Sequence, residues 1–303
     1  MKLFPYLVLM RPANIVTAIS DVIAGAAICG FLILASETAD WLKLLFLVMS
    51  TIGLYGGGIV LNDVCDLELD KTERPERPIP SGQVTKNQAL TLALSLYAIG
   101  IAFAFLCSPN SSIVAIAIVI CASVYDKYGK HHGLLGPLNM GVCRGLNLLL
   151  GMSMLPFYMI SDVLFISFIP VIFVAAITLT SQGEVLGNNK LSIIFALSLD
   201  GIIATILLSL SWFGIMNYFG GVMNLWVALP FIALWFGMNF SAKLKAIIQN
   251  EPKNIMKAVK MGVISLIPLN ASYVAGFSNW MFGLAVLLLL PVSIWLAKRF
   301  AVT

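Results

Sequence analysis

Ten apolar stretches of about twenty residues follow one another along this chain, at about 14 to 35, 41 to 61, 88 to 106, 111 to 126, 137 to 157, 162 to 181, 191 to 213, 221 to 241, 256 to 275 and 279 to 298. Each has the length that an α-helix needs to cross the hydrocarbon of a bilayer. None shows the alternating pattern of a barrel strand, so helices, which satisfy their own backbone groups in lipid, are the spanning element. Of the 303 residues, 60% are hydrophobic and 11% charged, whereas a soluble domain carries roughly a quarter charged residues. The chain therefore reads as all-α, a polytopic transmembrane helical bundle of nine or ten spans, forming one transmembrane domain over residues 1–303. Lys2 and Arg11 flank a short opening segment with no small-residue cleavage site behind it, so the first helix is expected to be retained. The cysteines at 29, 65, 107, 121 and 143 lack metal-ligand spacing and are expected to be small core residues.

The basic residues fix an expected orientation. Lys71, Arg74, Arg77 and Lys86 lie after span two, Lys127 and Lys130 after span four, Lys190 after span six, and Lys243, Lys245, Lys253 and Lys257 after span eight. By the positive-inside rule these loops and the N-terminus face the cytoplasm. Lys298 and Arg299 put the C-terminus on the same side, which favours an even number of spans.

Charge concentrates in the first of these loops. Asn62, Asp66 and Asp70 are spaced i, i+4, i+8, and Asp63 falls three before Asp66, so on a helix they converge on one face. Carboxylates gathered in this way repel one another unless protons or cations compensate them. Hard oxygens with room for water and phosphate suit Mg²⁺, which one or two carboxylates plus a substrate's phosphates usually hold. A solvated acidic loop is the plainer alternative, but charge clustered at a membrane edge is costly and tends to be functional. The prolines at 75, 78 and 80 forbid a long helix, and Arg74 and Arg77 supply guanidinium forks suited to phosphate.

The pattern Asn-Asp-x-x-Asp-x-x-x-Asp followed by Arg-Pro-x-Pro-Ser-Gly, over 62 to 82, resembles the first signature of the UbiA superfamily of intramembrane prenyltransferases. Arg11-Pro12-Ala13-Asn14 also looks like that family's opening. The resemblance implies a helical bundle around a central cavity, in which Mg²⁺ holds an isoprenoid diphosphate and the prenyl group passes to a hydrophobic acceptor. It assigns Asn62, Asp63, Asp66 and Asp70 to the first metal motif, Arg77 to the phosphates, and Asn14 to the cavity. In the second loop it matches Tyr125 and Lys130 in kind, and Lys127 or Lys130 either contacts phosphate or anchors the loop inside. The adjacent His131 and His132 do not share a helical face, which argues against a metal site there.

Arg144 lies roughly 10 Å into span five. It either faces the diphosphate or pairs with Asp21 or Asp200, the other acids within spans. The run from His131 to Gly151 looks like a divergent subgroup, the EboC proteins encoded in bacterial ebo clusters. The third loop departs from the family pattern. Where most members carry a second acidic motif, this chain has Ser181-Gln182-Gly183-Glu184-Val185-Leu186-Gly187-Asn188. Glu184 keeps its place as a metal and catalytic candidate, while Ser181 and Asn188 replace acids. The expected function is an Mg²⁺-dependent prenyltransferase with Asp66, Asp70 and Glu184 central to catalysis, embedded in a bacterial inner membrane with its active-site loops cytoplasmic. Its partners are an isoprenoid diphosphate, a hydrophobic acceptor and the lipid bilayer, with no nucleic acid among them. The alternative is a non-catalytic member that binds or moves an isoprenoid-linked lipid.

Overall fold

The computed structural model describes residues 3–35, 38–129, 133, 135–182, 187–212 and 223–300, and among them every regular element is a helix. In order these are α1 (Phe4–Met10), α2 (Pro12–Ile28), α3 (Phe31–Leu34), α4 (Thr38–Cys65), α5 (Leu67–Glu73), α6 (Lys86–Cys107), α7 (Pro109–Lys127), α8 (Leu135–Met152), α9 (Phe168–Ser181), α10 (Lys190–Trp212), α11 (Leu225–Ile248), α12 (Pro252–Phe277), α13 (Trp280–Leu287) and α14 (Leu289–Arg299). Eight helical stretches among the described residues are long and apolar enough to cross a bilayer, or nine if α1 and α2, bent by 48°, form one span. The chain is an integral membrane protein. The fifth expected span corresponds to α8, which is not among the eight. It carries Asn139, Arg144 and Asn147 and packs against α2, α7 and α9, so protein rather than lipid surrounds much of it.

Local chemistry sets the breaks. Arg11 has φ 46° and Pro12 opens α2, so the chain turns there before entering the bundle. The first expected span does not run on to 35, because Gly30, at φ 82°, ends the helical path after α2 and redirects it into α3. A capping box starts α6: Gln88 N–H donates to Thr85 Oγ1 at 3.3 Å, and Thr85 N–H donates to Gln88 Oε1 at 3.0 Å. Thr85→Ala is expected to destabilise the protein by about 1 kcal/mol, read as an earlier midpoint in denaturing-detergent unfolding.

Position in the bundle follows from which helices hide from lipid. In α12, 83% of the span window is buried inside the protein, against 22% in α6 and 28% in α7 and α10. The outer helices expose Leu94, Phe105, Ile113 and Ile120, as lipid-facing surfaces do. The inner helices α2 and α8 approach closely through glycines. A Cβ at Gly25 would collide with the Leu148 carbonyl, and one at Gly151 would collide with the Val22 carbonyl. The α10 and α11 pair is tied at depth by Lys243 Nζ and Asp200 Oδ2, 2.6 Å apart and both fully buried. Neither charge is left alone, which is the condition for tolerating charge there.

Candidate functional site

The acidic run does not form one uninterrupted helix. α4 ends at Cys65, Asp66 links it to α5 at φ −86°, ψ 3°, and two backbone bonds carry the ladder across, Asp66 N–H to Asn62 O at 2.9 Å and Asp70 N–H to Asp66 O at 2.8 Å. Asp63 and Asp70 nevertheless reach one common partner, Arg77. Asp63, only 4% exposed, receives Arg11 Nη2 at 2.6 Å and Arg77 Nη1 at 3.2 Å, both on Oδ1. Arg77 Nη1 also donates to Asp70 Oδ2 at 2.7 Å. Two arginines and two aspartates thus interlock across the start of α2, the end of α4, α5 and the loop beyond it. The fold-back that delivers Arg77 comes from the proline-rich turn, whose Gly82 has φ 75°, a backbone state that glycine reaches at little cost. Arg74 is half-buried on the same loop and makes no ion pair among the described residues.

Asn62 turns the other way. Its Nδ2 donates to Asp126 Oδ1 at 2.9 Å, joining the end of α4 to the end of α7. Both residues line a cavity of about 300 Å³ that also receives Arg11, Asn14 and Tyr125. Below this polar rim the walls become apolar, with Leu54, Ile118, Val174, Ile177, Val259 and Leu266. Tyr55 and Asn62 both line the cavity, and seven residues of helix separate them by about 10 Å along α4. The space has the character of a site for a mostly apolar molecule with one charged end. At its inner part Arg144 Nε lies 2.6 Å from Asp21 Oδ2, and the Arg144 guanidinium sits over the Tyr55 ring at 5.2 Å. Of the partners open to Arg144 from the sequence, the structure selects Asp21, while Asp200 is taken by Lys243.

The UbiA prenyltransferase family profile matches residues 23–252, three quarters of the chain. The chain belongs to the UbiA prenyltransferase family. Among its UbiA relatives, a digeranylgeranylglyceryl phosphate synthase of Saccharolobus solfataricus is 36% identical over 152 residues, which are 50% of this chain and 52% of that protein. One from Ignicoccus hospitalis is 35% identical over 150 residues, 50% of this chain and 47% of that protein. The chain thus spans about half the length of the curated relatives it matches. Solved structures share the fold over more of its length. A structure described for digeranylgeranylglyceryl phosphate synthase superposes with TM-score 0.64 at 20% identity, covering 91% of this chain and 98% of that one. A UbiA homologue from Archaeoglobus fulgidus bound to GPP and Mg²⁺ superposes with TM-score 0.60 at 13% identity, covering 93% and 99%.

Against the UbiA pattern, the expected site residues divide by where the structure puts them. Asn14, Asn62, Tyr125 and Arg144 line the cavity, as does Ser181, whose Oγ donates to the Thr178 carbonyl at 2.8 Å. Asp63, Asp70 and Arg77 stand behind that rim in the interlocked cluster, with Asp66 half-buried at the junction of α4 and α5. Lys127 does not line the cavity; it is exposed, its Nζ 5.2 Å from the centre of the Tyr128 ring. Asn188 is exposed at φ 58°. Lys130, His131, His132 and Glu184 lie outside the described residues.

The donor set suits a hard cation in part. Asp63 Oδ2 and Asp70 Oδ1 accept no hydrogen bond among the described residues, so each carboxylate keeps an oxygen for a metal. No three His, Cys, Asp or Glu side chains among the described residues are gathered closely enough to form a metal cage. That combination fits an ion held by one or two carboxylates together with a ligand's phosphate oxygens. Arg11 and Asp126 were not singled out as site residues from sequence. A signal existed for both, for Arg11 in the Arg-Pro-Ala-Asn run that opens the family pattern and for Asp126 as the acid beside Tyr125 at a helix end.

Proposed function

We propose that this protein is an Mg²⁺-dependent prenyltransferase that binds an isoprenoid diphosphate at the Arg11, Asn62, Asp63 and Arg77 end of the cavity and transfers its prenyl group to a hydrophobic acceptor. The single observation that carries this reading is that the arginine–aspartate cluster meets the polar rim of the cavity through Arg11, with Asp63 and Arg77 directly behind it, while much of the deeper wall is apolar. Asn62, Asp63, Asp66 and Asp70 are the residues that would hold Mg²⁺, which when bound neutralises charge developing on the leaving diphosphate. Arg11 and Arg77 are preorganised cations beside that position, so their stabilisation of the departing group requires no reorganisation during reaction. The apolar walls keep water from the allylic cation left when the C–O bond breaks with its electron pair on the diphosphate. The acceptor atom then bonds to that carbon and loses its proton. The basic loops support an active-site mouth, N-terminus and loops facing the cytoplasm, with residues 1–303 acting as one unit. The run from 131 to 151 supports an EboC-like branch and a bacterial inner membrane.

Ser181 on the cavity wall, where an acid is usual, favours one second reading, that of a member which binds an isoprenoid lipid without chemistry. Purified protein in lipid nanodiscs, given radiolabelled farnesyl or geranylgeranyl diphosphate and a panel of lipid acceptors, separates the two. Product that requires Mg²⁺ and falls at least tenfold with Asp66→Ala is the expected result. Diphosphate binding with no product, and no gain from Ser181→Asp with Asn188→Asp, supports the non-catalytic reading instead.

A further inference from the structure

The inner cavity holds a polar centre that the diphosphate end does not use. Arg144 on α8 is 3% exposed, and α2, α4 and α12 surround it with a fixed network. Arg144 Nε lies 2.6 Å from Asp21 Oδ2 as an ion pair, and Asp21 accepts from Asn147 Nδ2 at 2.9 Å on Oδ2 and from Asn270 Nδ2 at 2.7 Å on Oδ1. Asn147 also accepts from Thr51 Oγ1 at 2.6 Å and donates to the Ala18 carbonyl at 2.9 Å. Asn270 donates in addition to Ser20 Oγ at 2.8 Å. Every one of these bonds restrains Asp21 or its holders, so the guanidinium is locked in place. Yet Arg144 Nη2 is buried with neither an ion-pair contact nor a hydrogen-bond partner among the described residues, whereas Nε at least faces Asp21 as an ion pair. A buried donor left unsatisfied costs about 1–3 kcal/mol, more when charged, and native structures seldom keep one without a use.

We propose that Arg144 is the acceptor-binding residue of the cavity, and that its Nη2 donates to a neutral oxygen, a hydroxyl, on an otherwise apolar acceptor. This deepens the proposed function and rests on it. Charge selects the class. Asp21 already neutralises the guanidinium, so the pair has no net charge with which to offset the burial of a carboxylate or phosphate, and the Asp21 carboxylate itself repels an anion. A hydroxyl needs only a donor, and the apolar wall of Leu54, Ile118, Val174, Ile177 and Val259 takes the hydrocarbon around it. Separation supports a distinct subsite. Tyr55, under the guanidinium, lies about 10 Å along α4 from Asn62 at the polar rim.

The test uses the whole chain in nanodiscs and three probes that differ only in their head group, hexadecan-1-ol, hexadecane and palmitate, each with and without farnesyl diphosphate and Mg²⁺. Wild-type protein is expected to hold hexadecan-1-ol at least about tenfold more tightly than hexadecane, as one charge-assisted hydrogen bond warrants, with palmitate no better than hexadecane. Arg144→Gln should erase that preference while binding farnesyl diphosphate within twofold of wild type. Asp21→Asn combined with Arg144→Gln removes both charges together and should behave in the same way if the single variant folds poorly. No alcohol preference in wild-type protein, a preference for palmitate, or loss of farnesyl diphosphate binding in a folded Arg144→Gln protein would each overturn the assignment. Farnesyl diphosphate failing to bind wild type overturns the parent reading instead, and the alcohol preference then decides the role of Arg144 by itself.

Discussion

Asp63→Ala is expected to lower Mg²⁺-dependent prenyl transfer by about 10² to 10³, the usual result of removing one positioned electrostatic group from an active site. Two effects combine at this residue. Under the proposed function its carboxylate would offer an oxygen to the metal, and it holds Arg11 and Arg77, at 2.6 and 3.2 Å, through the other oxygen. With the carboxylate gone, two guanidiniums that are 13% and 15% exposed share a site without their common counter-charge. Part of the loss should therefore appear as lower thermal stability even without ligand. The arginines, released from Asp63, remain available for phosphate, so metal-free binding of farnesyl diphosphate should not fall while turnover does. Asp63→Asn keeps an acceptor oxygen for the arginines and should recover stability without recovering turnover. Single-turnover assays alongside binding titrations separate these terms, and turnover within tenfold of wild type in Asp63→Ala would remove the acidic run from the mechanism.

Gly151→Leu is expected to destabilise the fold by about 3 kcal/mol or more, or to prevent assembly altogether. The reason is a backbone-to-backbone contact. A Cβ at this position would strike the Val22 carbonyl, and Gly25 meets α8 in the reciprocal way, so α2 and α8 can adjust only by moving apart. Separating them also displaces Asp21 on α2 from Arg144 and Asn147 on α8. Gly237→Leu is the matched control. That glycine lies on the exposed face of α11 with nothing within 4 Å of an added Cβ, and the change should leave stability within about 0.5 kcal/mol. Reversible unfolding in mixed detergent micelles gives both values, and equal effects of the two substitutions would show that close packing of α2 on α8 does not limit stability.

How far the site was legible from the chain alone depended on the kind of signal each residue gives. Asn62, Asp63, Asp70 and Arg77 announced themselves because charge is scarce in this composition and because they fall within sixteen residues of one another. Arg11 stood apart from that cluster, marked only by the Arg-Pro-Ala-Asn run. Its partner Asp63 is 52 residues away, and only the turn at φ 46° brings its side chain across. Asp126 was visible as an acid next to Tyr125, but its bond to Asn62 spans 64 residues and depends on the packing of α4 beside α7. α8 reads as an ordinary span of modest hydropathy, and its burial among α2, α7 and α9 is a fact of assembly.

The sequence by itself determined that this chain spans a membrane as helices, because apolar runs of bilayer length leave no other way to satisfy the backbone. It also pointed to 62 to 77 as the place for phosphate and metal chemistry, because charge clustered at a membrane edge is costly and tends to be functional. The tertiary structure alone decided the partners. Arg144 could have met Asp21, Asp200 or a ligand, and the close packing of α2 on α8 at Gly25 and Gly151 gave it Asp21 while leaving Nη2 without a partner among the described residues. Spacing along a helix specifies which groups share a face, but which face looks into a cavity and which into a neighbour is set by packing between segments far apart in the chain.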